Sequence, residues 1–204
     1  IDEITRHHDV YLPSTNFLHP HALKDPLQRY IDSAFRLFRH DTIGPVSDIL
    51  RDLLSSDDPL AGRLSSKDLR ADTYLGCRVQ EVFYSKKGLQ AVLSFLTPSR
   101  IARWPIEDQE VWWEDSPRLE EGRLLCFIPS KSKRPDLLFF QVTDRKTDRL
   151  VGKDVHRTSA HRNLTSEEKL PRITVKLATR QRKAMGQLAR LSMSETKGVL
   201  VDFN

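Results

Sequence analysis

Apolar and polar positions along the chain change period as the sequence is followed. Residues 1 to 24 hold no sustained period and carry four of the seven histidines, so they read as an extended arm. From Asp25 the period becomes helical. Asp25 is suited to accept from the free N–H groups of a first turn, and Pro26 suits the first helical position, where its missing N–H costs nothing. Leu27, Tyr30, Ile31, Ala34, Phe35 and Phe38 recur at three-to-four spacing and lay one apolar stripe along the helix. Gly44-Pro45 reads as its stop. A second helix follows, with Val46, Ile49, Leu50, Leu53 and Leu54 on one face and Asp57-Asp58-Pro59 as its exit. Residues 25 to 68 are therefore expected to form a helical hairpin.

From about residue 69 the pattern turns to strands. Residues 74–84 and 89–96 flank Ser85-Lys86-Lys87-Gly88, a turn with glycine where a positive φ is needed, and predict a β-hairpin. Residues 123–128 and 137–142 predict a second, joined by residues 129–136. Residues 172–177 alternate strictly, and residues 198–203 complete about six strands, enough to close or nearly close a small barrel. Residues 180–191 carry helix formers with an amphipathic trace through Met185, Leu188 and Leu191. The predicted class is α+β: an N-terminal helical hairpin followed by a small, mostly antiparallel β-barrel with one additional helix. The barrel-like domain takes residues 69 to 204 and has a basic C-terminal third.

With 204 residues, 38% hydrophobic and 30% charged, the chain is long enough for one core, or for a small core with a docked helical segment. No apolar run approaches the roughly eighteen residues that a membrane span needs, and the first residues lack a signal-peptide pattern. The expectation is a soluble intracellular chain, nuclear or cytoplasmic, with no membrane partner. Cys77 and Cys126 sit in apolar strand-like runs without a neighbour at metal-ligand spacing and read as buried thiols. His7, His8, His19, His21 and His40 have no cysteine near them in sequence, so neither a metal nor a cofactor is expected.

Charge changes the picture more than composition does. Between Arg145 and Arg190, 13 basic residues stand against 4 acidic ones, a formal charge of about +9, which leaves the rest of the chain mildly acidic. Such asymmetry is a footprint of a polyanion partner, although basic faces also serve solubility. Lys131, Lys133 and Arg134 form a basic tip between two apolar strands. Arg180, Arg182 and Lys183 form a second cluster at the start of the predicted helix, where positive charge opposes the helix dipole and so needs another cause. Both clusters are candidate nucleic-acid contacts. An ordinary polar turn is the alternative for the first, and pairing with acidic residues of a longer protein is the alternative for the second. Trp104, Trp112 and Trp113 have rings that could stack on bases, but Glu114-Asp115 would repel phosphate there, so packing is the preferred reading. Consecutive tryptophans on a strand face opposite ways, so at most one of Trp112 and Trp113 is core.

Tyr30-Ile31-Asp32, Phe35-Arg36-Leu37-Phe38-Arg39-His40-Asp41 and Gly44-Pro45 together resemble the "aromatic, Leu-Asp, Phe-Arg-Leu-Leu-Arg-Glu-Asp, Gly-Pro" signature of NFX-type zinc-finger helicases. These are Upf-like superfamily 1 RNA helicases of RNA silencing. The order of motifs continues with Trp112-Trp113, Arg118-Leu119, Gly122 and Leu124-Leu125-Cys126, then Leu137-Leu138-Phe139 and Val142, so that roughly residues 27 to 145 are covered. His40 stands where the signature has Glu, Phe38 where it has Leu, and Val46-Ser47-Asp48 where it has a Pro-Leu-Arg-like run.

The resemblance implies a segment upstream of, or bordering, the ATPase core of a parent that binds ATP and carries zinc fingers. Such helicases bear a stalk and a β-barrel on their first motor lobe, and the resemblance leaves open whether this barrel is that one or a separate module. Tyr30, Phe35, Arg36, Leu37, Arg39, Asp41, Gly44 and Pro45 then have a mainly structural role. The implied partners are RNA or single-stranded nucleic acid, the remainder of the helicase, and proteins of a silencing complex. No Gly-x-x-x-x-Gly-Lys-Ser/Thr loop occurs in the chain, so no catalytic residues are assigned and the chain is not expected to be an enzyme by itself. It starts at Ile1 and ends at Phe203-Asn204 after an apolar run, which reads as an excised fragment. The expected function is a non-catalytic accessory region that contacts RNA backbone or positions it for the motor. The alternative is a protein-interaction or self-association module. A stripe that faces the core would make Phe35→Ala cost a few kcal/mol, whereas Arg134→Ala should leave thermal melting unchanged.

Overall fold

The computed structural model describes residues 23–56, 58–65, 69–130, 137–151, 170–179 and 181–203. The chain divides into two compact units, one of residues 1–56 and 64–69, the other of residues 57–63 and 70–204.

The first unit is built on one helix, α1 (Pro26–Ser55). It starts as the sequence predicts: Asp25 accepts from the Gln28 N–H at 2.8 Å and Pro26 occupies the first turn. It does not stop at Gly44-Pro45. The predicted hairpin is one continuous helix with Pro45 inside it. A residue before proline is normally driven out of the helical region because its Cβ meets the proline ring, and Gly44 has no Cβ. Gly44 also has no positive φ, so it does not form the left-handed cap that the sequence suggested. One turn before the proline, the Thr42 hydroxyl donates to the Phe38 carbonyl at 2.6 Å, a side-chain bond that often accompanies bending.

Along this helix Ile49, Leu50 and Leu53 are buried, as the second half of the pattern predicts. The first half is not. Tyr30 is 65% exposed, Phe35 61% and Phe38 70%, so the stripe is an uncovered face rather than a core. Periodicity identifies a face fit for packing but does not supply the surface that covers it. The Phe35→Ala cost expected from the sequence is accordingly revised to within about 0.5 kcal/mol, since surface changes rarely exceed that.

The second unit is a closed antiparallel barrel of six strands: β1 (Ala71–Ser85), β2 (Gly88–Ser94), β3 (Leu124–Pro129), β4 (Leu138–Asp144), β5 (Arg172–Leu177) and β6 (Gly198–Phe203). Around the barrel the order is β1-β2-β5-β4-β3-β6. Both predicted hairpins and both later strands are present, and Gly88 takes φ +96° at the first turn. β1 serves two partners in succession. Ala71 to Cys77 pairs with β6, and Arg78 to Ser85 pairs with β2. The register shifts between Tyr74 and Cys77, where Gly76 bends the strand at φ +61°. Opposite the bend lies Gly198, paired with both Cys77 and Pro129. A Cβ there would run into the Ile128 carbonyl and stand 2.8 Å from the Phe127 ring.

Alternation delivers the core from every strand: Tyr74, Cys77 and Val79; Ala91 and Leu93; Leu125 and Phe127; Leu138, Phe140 and Val142; Ile173 and Val175; Leu200. Cys77 and Cys126 are buried free thiols, as expected, and burial pushes both thiols up. Among the described residues three α-helical segments, besides a 3-10 turn at Pro59–Ala61, accompany the strands. The tryptophan pair lies on α2 (Ile106–Asp115), not on a strand. Pro105 precedes the helix and Glu107 and Asp108 occupy its first turn, where their charge suits the dipole. Trp113 is core and stacks at 6.3 Å on Tyr74, while Trp112 is half-buried. A single turn, α3 (Thr147–Leu150), adds Leu150 to the core. The predicted additional helix is α4 (Arg182–Ser192), which packs against β1 through Ala184, Leu188 and Leu191. Met185, on the predicted trace, falls on its exposed side.

The connection after α2 is pinned by charge. Buried Asp202 accepts from the Leu119 N–H at 2.9 Å, which fixes Leu119 at φ 54°, and from Arg123 at 3.4 Å. Arg118 pairs with Asp72 at 2.9 Å, and Arg145 donates to the Trp113 and Ser116 carbonyls at the end of α2.

Gly198→Ala is expected to lose about 1–3 kcal/mol through overpacking, read as a lower urea midpoint. Gly186→Ala in α4, whose Cβ would meet nothing, should gain up to about 1 kcal/mol. Burial raises the Asp202 pKa above its ordinary 3.8, and the Leu119 N–H and Arg123 only partly oppose this. The folded state then binds the proton more tightly than the unfolded chain. Wild type should lose stability relative to Asp202→Asn as pH rises from that ordinary value through the raised one, measured by denaturant melts across pH.

Candidate nucleic-acid interface

Strand register decides which basic residues meet. β5 ends at Leu177 beside Phe140, and the Ala178 N–H donates to the Phe139 carbonyl at 2.9 Å. Ser130, just past β3, donates its N–H to the Lys197 carbonyl at 3.0 Å, and Pro129 pairs with Gly198. The strands flanking residues 131–136 therefore open at the same rim of the barrel from which β5 leads into α4 and at which β6 begins. The β1–β2 turn closes there too, because Gln90 pairs with Lys176 and Ser85 with Gly88.

Of the sequence-predicted contacts, Lys131, Lys133, Arg134 and Arg180 lie outside the described residues, as do His7, His8, His19 and His21. Arg182 and Lys183 are exposed at the first turn of α4. Among the described residues no side chain caps that turn and no acidic residue lies in it, so the positive end of the helix dipole and the two cations point the same sign of field outward. Exposed Lys86 and Lys197, which sequence reasoning assigned no role, belong to the same rim. The visible signal for Lys86 was the charge of the Ser85-Lys86-Lys87-Gly88 turn. Lys87 is committed, donating its ammonium to the Thr143 carbonyl at 2.9 Å.

On the opposite rim the helix α2 carries the reverse charge. α2 holds Glu107, Asp108, Glu110, Glu114 and Asp115 without a basic residue. A groove of about 680 Å³ runs along it, lined by Trp104, Val111, Trp112, Asp108, Asp115 and Arg118 among others. The Arg118 guanidinium sits 5.2 Å from the centre of the Trp112 ring, and Trp112 meets Trp113 edge to face at 4.7 Å. None of the three tryptophans thus faces the basic rim.

The signature residues all lie on α1. Arg36 pairs with Asp32 at 2.8 Å. Tyr30, Phe35 and Leu37 are exposed, and Gly44-Pro45 lies within the helix. Among the described residues no three His, Cys, Asp or Glu side chains are grouped to hold a metal, and no helix is long and apolar enough to cross a membrane.

No protein-family model and no solved structure matches the chain. Over 149 residues, 71% of the chain, it is 28% identical to NFX1-type zinc finger-containing protein 1 of Mus musculus. The protein of the same name from Homo sapiens matches to the same extent. The chain spans 7% of the length of these relatives. This similarity supports an NFX-type relationship, in keeping with the resemblance carried by α1.

Proposed function

We propose that this chain is a non-catalytic accessory region of an ATP-dependent RNA helicase of RNA silencing, and that its basic rim holds RNA by the phosphate backbone. The observation that carries this reading is the convergence at one rim of the α4 start, with Arg182 and Lys183, and the strand ends flanking residues 131–136. Backbone contacts of this kind give affinity without sequence choice, which suits a region that positions RNA for a motor. The remainder of the helicase and proteins of a silencing complex are its further proposed partners.

Polarisation of a labelled single-stranded RNA across a salt series tests this. Binding should weaken linearly on a log–log plot, and each phosphate contact removed by reversing Arg182, Lys183 or Lys197 to Glu should flatten the slope by about 0.7. Undiminished binding by the triple reversal would remove the rim from the reading.

One observation favours the second reading, a protein-interaction or self-association module: the exposed stripe of Leu27, Tyr30, Ile31, Phe35 and Phe38 on α1. A concentration-independent monomer in sedimentation equilibrium, with no partner retained from extract, would count against it.

A further inference from the structure

We infer that Tyr84 is a base-stacking platform on the basic rim, which makes the rim selective for single-stranded over duplex RNA. This rests on the proposed RNA contact and adds to it the strand state and the side chain that reads it.

The argument starts from the stagger of the barrel. β6 pairs with β1 only as far as Cys77, so the rest of β1, paired with β2 alone, carries the hairpin past the β6 edge. Tyr84 lies two residues beyond Val82 and directly opposite Leu89, on the strand face those two residues use to pack against the core. Leu177 of β5 also packs against that core, in the row next to the Gln90–Lys176 pair. The apolar row from β5 across β2 therefore ends in the Tyr84 ring, yet that ring is 78% exposed. A ring so exposed contributes little burial to the fold.

The turn beside it is cationic. Lys86 follows it in the turn, and Lys87 is tied to the Thr143 carbonyl, which holds the turn against the barrel. From Leu177 the chain passes through residues 178–181 to Arg182 and Lys183. α4 then crosses the rim along β1 towards Gly198. An aromatic face bordered by cations matches a base bordered by its phosphates. Duplex bases are already stacked and present only edges and backbone, so only an unpaired base can use this ring.

The test compares wild type, Tyr84→Ala and Tyr84→Trp on a short labelled single-stranded RNA, a strand of equal length with abasic sites, and the corresponding duplex. Tyr84→Ala should weaken single-strand binding about tenfold with an unchanged salt slope. The abasic strand and the duplex should bind wild type about as weakly as the intact strand binds Tyr84→Ala. Tyr84→Trp should keep the affinity and lose indole emission on the intact strand but not on the abasic one. Equal binding of the intact strand by wild type and Tyr84→Ala, or of intact and abasic strands by wild type, would overturn the inference while leaving backbone contact standing. Absence of binding to every strand at low salt would overturn both. Thermal melts of both variants should match wild type, because the ring is exposed.

Discussion

The barrel depends on the seam between β1 and β6, the two strands farthest apart in the sequence. Ala71 meets Phe203 and Cys77 meets Gly198, and without these bonds both strands would be open edges. Two glycines make the seam possible. Gly76 turns β1 through a positive φ so that its second half can leave β6 for β2, and Gly198 lets β6 approach Ile128 more closely than any side chain allows. The seam also anchors one end of the barrel. Asp202 on β6 holds Leu119 and Arg123, and Asp72 on β1 holds Arg118, whose guanidinium lies over Trp112. The position of the α2 rim thus follows from closure of the sheet.

Closure also separates charge. The sequence places acidic residues 107–115 and the basic stretch from Arg145 onward in succession, with no indication of where either lies in space. Antiparallel register sends the carboxylates of α2 to one rim and the α4 cations to the other. A field arranged this way favours approach of a polyanion from one side. On the helical unit, α1 keeps the whole signature within one helix, with the apolar stripe exposed and the Asp32–Arg36 pair on the same helix.

Much of the barrel was legible because strand signals are local. Alternation in residues 172–177, the glycine at the Lys86-Lys87 turn and the apolar runs on either side of residues 129–136 each reflect a half-buried pleated surface. Errors arose where one local rule cancelled another. Pro45 signals a helix end, but Gly44 before it, lacking a Cβ, lessens the clash of the proline ring with the preceding residue. Trp112-Trp113 carries strand propensity, but the carboxylates and proline ahead of it begin a helix. Of the candidate site, Arg182 and Lys183 were visible as a cluster with no helical reason for its charge. Tyr84 was read only as a strand residue, since exposure of one ring at a hairpin tip leaves no trace in periodicity.

By itself the sequence determined the α+β class, the number and order of the strands, the start of α1, and the two buried thiols, because each follows from propensity, spacing or hydrophobicity within a short window. Tertiary structure alone decided which strands meet to close the barrel, which rim the α2 carboxylates and the α4 cations occupy, and that the stripe of α1 lies uncovered. Those outcomes depend on pairing and packing between residues far apart in the chain, such as Ala71 with Phe203 and Leu119 with Asp202, and no local pattern encodes which distant surface a residue will meet.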